Sequence, residues 1–161
     1  MANVPQTQVR TSHALKISAN GVTVGLINGW NPTQSRTVTP IFEISRDTSG
    51  APVEYMPGNL SAQSVTIARY DTYQARLEEA FGTPDLTMLS RQSEPFSVIE
   101  VWANPDPSQS EERFMYDGCW FTSLGRTLSS NDTRVVNVNA TLVYTKKMKL
   151  AGFAAGAINI Q

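Results

Sequence analysis

Only one stretch of this chain, residues 71–81, carries apolar residues at helical spacing. Tyr73, Leu77, Ala80 and Phe81 fall at i, i+4, i+7 and i+8 and would share a single face. Asp71 offers an N-cap, Gln74 stands three residues later as in a capping box, and Tyr70 can staple onto Ala75. Gly82 followed by Pro84 closes the segment. Nearly everything else with a period reads as strand. The chain is therefore expected to be a mainly β domain with one short helix after its third strand.

The strand signals vary in kind. Residues 15–18 and 22–24 flank Asn20-Gly21, and Asn-Gly between alternating segments predicts a type I′ hairpin, because both central residues need positive φ. A second pair, Asn28-Gly29, leads into Trp30-Asn31-Pro32-Thr33 and predicts a longer turn. Residues 38–45 read as a strand, with Pro40 marking an edge or a bulge. Residues 46–61 hold Asp47, Ser49, Gly50, Pro52, Pro57, Gly58 and Asn59 and read as a long loop. The same segment carries Val53, Tyr55, Met56 and Leu60, which disordered linkers lack, so it is expected to order against its own domain or a neighbouring subunit.

Val65, Ile67 and Arg69 alternate with Thr66, Ala68 and Tyr70, which is strand spacing. Residues 96–103 form an apolar strand, 104–112 an exposed acidic loop, and 114–124 a strand with a bulge at Gly118. The cleanest alternation lies over residues 133–146. Val136, Val138, Ala140, Leu142 and Tyr144 point one way; Asn137, Asn139, Thr141 and Thr145 point the other and give a neutral hydrogen-bonding face. Residues 1–11 are polar and predict a flexible arm. Residues 148–161 are too apolar for free solution and predict a terminal strand or a docked arm. At 161 residues the whole is one domain, 1–161.

Charge narrows the function. A net charge of −1 argues against a sequence-specific DNA reader. Acidic residues dominate residues 71–117, among them Glu111 and Glu112, whereas Lys146, Lys147 and Lys149 follow. Complementary faces on identical subunits would use such a split; ordinary surface variation would also produce it. Cys119 lies between Gly118 and Trp120 and is expected to be a buried small hydrophobe; one cysteine forbids an internal disulfide. His13 is the lone histidine, in a polar stretch, and is expected to be exposed. Glu78-Glu79 and Glu111-Glu112 are sequence neighbours that point apart, unlike a glycosidase dyad. No phosphate-cradling glycine loop or nucleophile elbow is present. No apolar run reaches the ~20 residues of a membrane helix, and residues 1–6 lack the basic start and apolar core of a signal peptide. No enzyme, cofactor, metal site or membrane insertion is expected.

A segment ending in Pro-Gly (Tyr55-Met56-Pro57-Gly58), then polar residues, then a strand closing on Arg69, then the helix of residues 71–81, resembles the tail-tube proteins of contractile-tailed bacteriophages. The resemblance implies a small barrel of two packed antiparallel sheets with one flanking α-helix. It implies hexameric rings, joined edge to edge and stacked head-to-tail into the inner tail tube of a virion assembled in the host cytoplasm. It also implies a sheath, a tape-measure protein and a baseplate tube initiator as partners, and DNA passing through the lumen. Asp47, Val53, Tyr55, Met56, Pro57 and Gly58 would then be inter-ring residues. Asn137, Asn139 and Thr141 would face the lumen or, equally, outer solvent. Lys146, Lys147 and Lys149 would meet Glu111 and Glu112 across subunits. A tube initiator or secretion-tube subunit is the alternative within this class. Outside it stands a monomeric barrel binding a ligand among Trp30, Trp102 and Trp120.

Overall fold

The structure, a computed structural model, describes residues 8–73, 76–82, 86–106, 108–128 and 135–150. Residues 1–7 and 151–161 of the expected arms, and Gln74, Ala75 and Pro84 of the expected helix, lie outside the described residues. Among the described residues eight strands run in order: β1 (Leu15–Ala19), β2 (Val22–Thr23), β3 (Ile27–Ile41), β4 (Glu54–Tyr70), β5 (Phe96–Trp102), β6 (Glu112–Thr127), β7 (Asn137–Val143) and β8 (Lys146–Leu150). One helical turn, α1 (Leu77–Ala80), falls between β4 and β5, and short 3₁₀ turns lie at Ser12–Ala14 and Leu89–Arg91. No helix of the described residues is long and apolar enough to cross a membrane.

All strand pairs are antiparallel, and β6 organises them. Up to Cys119 it pairs with β5 on one side and β8 on the other, giving a first sheet β2-β1-β5-β6-β8. From Trp120 onward it pairs with β7, giving a second sheet β6-β7-β4-β3. The strand changes sheets just after Gly118, which has φ +67 and sits where the β5–β6 register slips between Phe96 and Val98. A Cβ there would lie 2.5 Å from Thr145 Oγ1, so the bulge expected at this glycine needs glycine on both counts. Backbone groups that leave the ladder at the crossing are satisfied by Gln92. Its side chain accepts from Phe121 N–H at 3.0 Å and donates to Cys119 C=O at 3.2 Å.

The core lies between the sheets. Ile17, Val98 and Tyr116 come from the first; Val65, Ile67 and Leu142 from the second. Phe81 closes one end in a trio with Phe96 and Phe121, ring centroids 5.0–5.9 Å apart. Several expectations hold. Asn20 and Gly21 have φ 50 and 81 between β1 and β2, the type I′ signature. Val138, Ala140, Leu142 and Tyr144 are buried, and so are Val65, Ile67 and Arg69.

Other expectations are corrected. The helix does not start at Asp71; its cap is Arg76, whose backbone N–H donates to Glu79 Oε2 at 3.2 Å, and Tyr73 is fully exposed instead of joining the apolar face. Residues 28–33 are not a turn but the start of β3, which ends at Ile41 rather than residue 45. Residues 54–61 are not loop; they belong to β4, so that only residues 42–53 connect the two long strands. The alternation expected over 133–146 is broken after Val143, and Met148 to Leu150 are strand β8 rather than an arm.

Candidate assembly surface

β3 and β4 pair from Ile27↔Arg69 to Ile41↔Glu54, but β7 covers β4 only over Ser64–Tyr70. Beyond Ser64 the two strands continue alone as a ribbon of eight residues on β3, about 25 Å at the rise of a strand. Cross-strand partners share a face, so Val38, Pro40, Tyr55 and Pro57 lie on one side and Thr39, Ile41, Glu54 and Met56 on the other. Neither side is covered: Tyr55 is 61 % exposed and Met56 57 %, with Phe42 at 60 % just past the strand end. A lone two-stranded ribbon is marginal in water, and one that displays this much apolar surface calls for a partner.

Prolines confirm where the ladder is open. Pro32 and Pro40 lie on β3, the outer strand of its sheet, and Pro57 lies on the part of β4 that no third strand reaches. None removes a ladder bond that the sheet would otherwise make to a third strand. Gly58 sits against a bulge at Thr37, where a Cβ would come within 2.9 Å of the Thr37 carbonyl oxygen. Of the six loop candidates, Tyr55, Met56, Pro57 and Gly58 are thus ribbon residues, while Asp47 and Val53 belong to the connection at its tip.

The outward face of the second sheet carries Asn137, Asn139 and Thr141, and the register extends it across four strands. Asn31, Thr66, Thr141 and Ser123 form one row; Gly29, Ala68, Asn139 and Gly125 the next; Tyr70, Asn137 and Thr127 a third. No residue in these rows is charged. Two side-chain bonds lie on this face: Asn139 Nδ2 donates to Thr127 Oγ1 at 3.1 Å, and Asn28 Nδ2 donates to Asn137 Oδ1 at 3.2 Å. These rows therefore present neutral hydrogen-bonding groups and no fixed charge.

The charge candidates do not segregate onto opposed faces. Lys149 Nζ lies 3.5 Å from Glu112 of the same chain, and Glu112 also pairs with Arg10, whose guanidinium holds it below the usual carboxylate range. Glu111 pairs with Arg113 at 3.2 Å. Lys147 Nζ sits 5.1 Å from the ring centres of Phe114 and Tyr116. Neither Lys146 nor Lys147 makes an ion pair among the described residues; Lys146 stands across from Asp117 in the β6–β8 register. Arg10 also lies over Trp102, tying residues 8–11 to the first sheet.

Sequence reasoning missed the most polar point of the core. Glu100 is buried, and its carboxylate accepts from Trp30 Nε1 at 2.9 Å, from Tyr116 Oη at 2.8 Å and from Trp102 Nε1. Trp30 belongs to the second sheet and the others to the first, so this carboxylate joins the two. The available signal was one acid inside the apolar run of residues 96–103, two positions from a tryptophan. Two of the three tryptophans are thereby engaged with Glu100, and Trp120 faces outward in the second sheet. His13 is exposed and Cys119 buried, as expected.

Burial, and then the bond to Glu100, push the Tyr116 phenol well above its ordinary value; burial pushes the Cys119 thiol up to about 12. Both groups ionise more readily unfolded, near pH ~10 and ~8.5. Their contribution is therefore whole below those values and is lost as pH rises toward the folded ones. The contribution of these two groups to the unfolding free energy, read by urea titration, is expected to be level to about pH 8.5 and to fall at higher pH, by up to about 1.4 kcal/mol per pH unit for each group. Tyr116→Phe should flatten the part above about pH 10; an unchanged slope in that variant would remove Tyr116 from the account.

No protein-family model matches the chain, and no curated protein matches it in sequence. Solved structures do. A chain from the sheath/tube terminator of an extracellular contractile injection system, PVC, in its extended state is 14 % identical with TM-score 0.65, over 91 % of this chain and 100 % of that one. A chain from the tube-terminating cap of the anti-feeding prophage is 11 % identical with TM-score 0.65, over 91 % and 94 %. The tail tube of SPP1 is 11 % identical with TM-score 0.54, over 86 % and 77 %. At these identities the likeness establishes the fold: a mainly antiparallel β tail-tube architecture with minimal helix.

Proposed function

We propose that the chain is a structural subunit that forms rings and stacks them into the inner tube of a contractile tail or tail-like particle. The observation that carries this reading is the bare β3–β4 ribbon, an apolar two-stranded projection that a monomer has no means to cover. The likeness in fold to chains of a tube terminator, a tube cap and a tail tube supports it. The role is structural rather than enzymatic. Six copies per ring, edge-to-edge sheet pairing, a surrounding sheath, a tape measure and a baseplate initiator complete the reading. The uncharged outward face of the second sheet lines the channel, where weak phosphate contact lets DNA pass without being gripped. Lys146, exposed and without an ion pair among the described residues, is one basic residue able to reach a neighbouring subunit.

A second reading is a tube terminator, favoured by the two chains of highest structural likeness reported above. Negative-stain electron microscopy of the purified chain, with its mass in solution, separates the outcomes. Hollow tubes of indefinite length select the tube subunit. Rings that never stack on themselves but arrest tubes of another subunit select the terminator. A species that stays monomeric at high concentration overturns both.

A further inference from the structure

The two sheets are joined unevenly. On one side β6 crosses between them. On the other, β2 and β3 are end strands that do not pair with each other among the described residues, and a cleft of about 510 Å³ opens there with Ile17, Val24, Ile27, Trp30 and Trp102 in its walls. Glu100 bridges this open side. Its Oε2 accepts from Trp30 of β3 and from Tyr116 of β6, and its Oε1 accepts from Trp102 of its own strand. Three residues farther along β3, the Thr33 carbonyl accepts from Tyr144 Oη at 3.4 Å. Tyr116 packs edge-on against both Trp30 and Tyr144, with ring centroids 5.9 and 4.9 Å apart. These contacts stop where the lone ribbon begins, because β7 leaves β4 at Ser64, the register partner of Thr33.

We propose that Glu100 is a lock on the root of the β3–β4 ribbon, a positioning residue that fixes the direction in which the ribbon leaves the domain. The lock acts within a single copy and does not depend on how copies assemble. Leverage gives it effect. A tilt of about 10° at the root displaces a tip about 25 Å away by roughly 4 Å, nearly the spacing of adjacent strands. Chemistry accounts for a carboxylate at this point. An indole N–H only donates, so Trp30 and Trp102 each need an acceptor, and a carboxylate supplies two acceptor oxygens with no hydrogen of its own. A glutamine would turn its NH₂ toward one indole in either amide orientation. The two indoles differ in what they hold. Trp102 shares β5 with Glu100, so its bond stays within the first sheet, whereas the bond from Trp30 crosses to the strand that becomes the ribbon.

The test measures the ribbon against the first sheet in the full chain. Spin labels are attached at two exposed positions, Val38→Cys on the ribbon and Val22→Cys on β2; Cys119 is buried and does not compete. Pulsed dipolar electron spin resonance on unassembled copies, verified by sedimentation, gives the distribution of distances between the labels. Trp30→Phe and Trp102→Phe then make the same truncation on the two sides of Glu100. Trp30→Phe is expected to widen the distribution at least twofold, and Trp102→Phe to leave it at the parent's width. Glu100→Leu, close in size and without an acceptor, is expected to match Trp30→Phe. The parent's width in Trp30→Phe, or equal broadening in both tryptophan variants, overturns the lock. A folded Glu100→Leu protein with the parent's width overturns it as well. If Glu100→Leu does not fold, the two tryptophan variants alone decide between these outcomes.

Discussion

Leu77→Asp is expected to leave no folded protein at neutral pH. Leu77 is fully buried at the start of α1, one turn before Phe81, in the cluster that includes Phe96 and Phe121. Truncating a buried leucine costs about 2–5 kcal/mol. A carboxylate put in its place adds several more, the cost of taking a charge out of water. The buried Glu78 beside it makes a further negative charge there still less favourable. The sum matches the whole stability of an ordinary domain, about 5–15 kcal/mol. Burial raises the pKa of the new acid, so the deficit relative to the parent should narrow as pH falls toward 4, where the unfolded chain also takes up the proton. Leu77→Ala should remain folded with its unfolding free energy lowered by about 2–5 kcal/mol. Near-ultraviolet circular dichroism and urea titration read all three. A Leu77→Asp protein melting like the parent would mean that α1 does not close the core.

Physical reasons decide which parts of this fold were legible in the sequence. β7 was readable because one face is buried and the other wet, which prints a period of two on the chain: Val138, Ala140 and Leu142 against Asn137, Asn139 and Thr141. The Asn20-Gly21 turn and the Gly118 bulge were readable because backbone conformation restricts residue type there. The distal ribbon was not. It has no buried face, so no apolar alternation marks it, and Pro40, Pro57 and Gly58 look like loop punctuation. Those residues are compatible with strand only because the ladder is open on one side, a fact of topology rather than of local sequence. The helix was misplaced for a related reason. Asp71 and Gln74 imitate a capping box, but the box that forms is Arg76 with Glu79. Glu100 escaped notice because its three donors come from β3, β5 and β6, and no local pattern brings those strands together.

The same distinction bears on the assembly surface. The neutral residues Asn137, Asn139 and Thr141 do lie on the outward face of the second sheet and the apolar residues between 53 and 60 are exposed, which is a matter of orientation and not of what they touch in an assembly. The lysines and glutamates expected to meet across subunits also lie close within one copy, because β8 is hydrogen-bonded to the strand that begins with Glu112 and Lys149 stands 3.5 Å from that carboxylate. Charges distant in sequence are neighbours in the sheet. Exposed pairs of this kind contribute about 1 kcal/mol or less, so the larger part of any subunit contact must come from apolar burial.

Replacing residues 37–59 by Asn-Gly is expected to keep the domain and abolish stacking. Arg36 and Leu60 are register partners, so a two-residue type I′ turn can join them without disturbing the strands below. None of the residues removed belongs to the core. The thermal midpoint should therefore stay within a few degrees of the parent, given that about 1 kcal/mol moves it by 2–4 °C in a domain of this size. Assembly should behave differently. The excised segment carries Val38, Phe42, Tyr55 and Met56, each worth about 1.5–3 kcal/mol when fully buried. After ordering costs, a net loss near 4 kcal/mol per contact weakens association about a thousandfold. Every contact between rings loses this together, so tubes should vanish and single rings, closed by sheet edges that the change leaves intact, should persist. Micrographs and sedimentation read the two levels separately. Long tubes from the shortened chain would show that stacking runs through another surface, whereas monomers in place of rings would assign the ribbon to contacts within the ring.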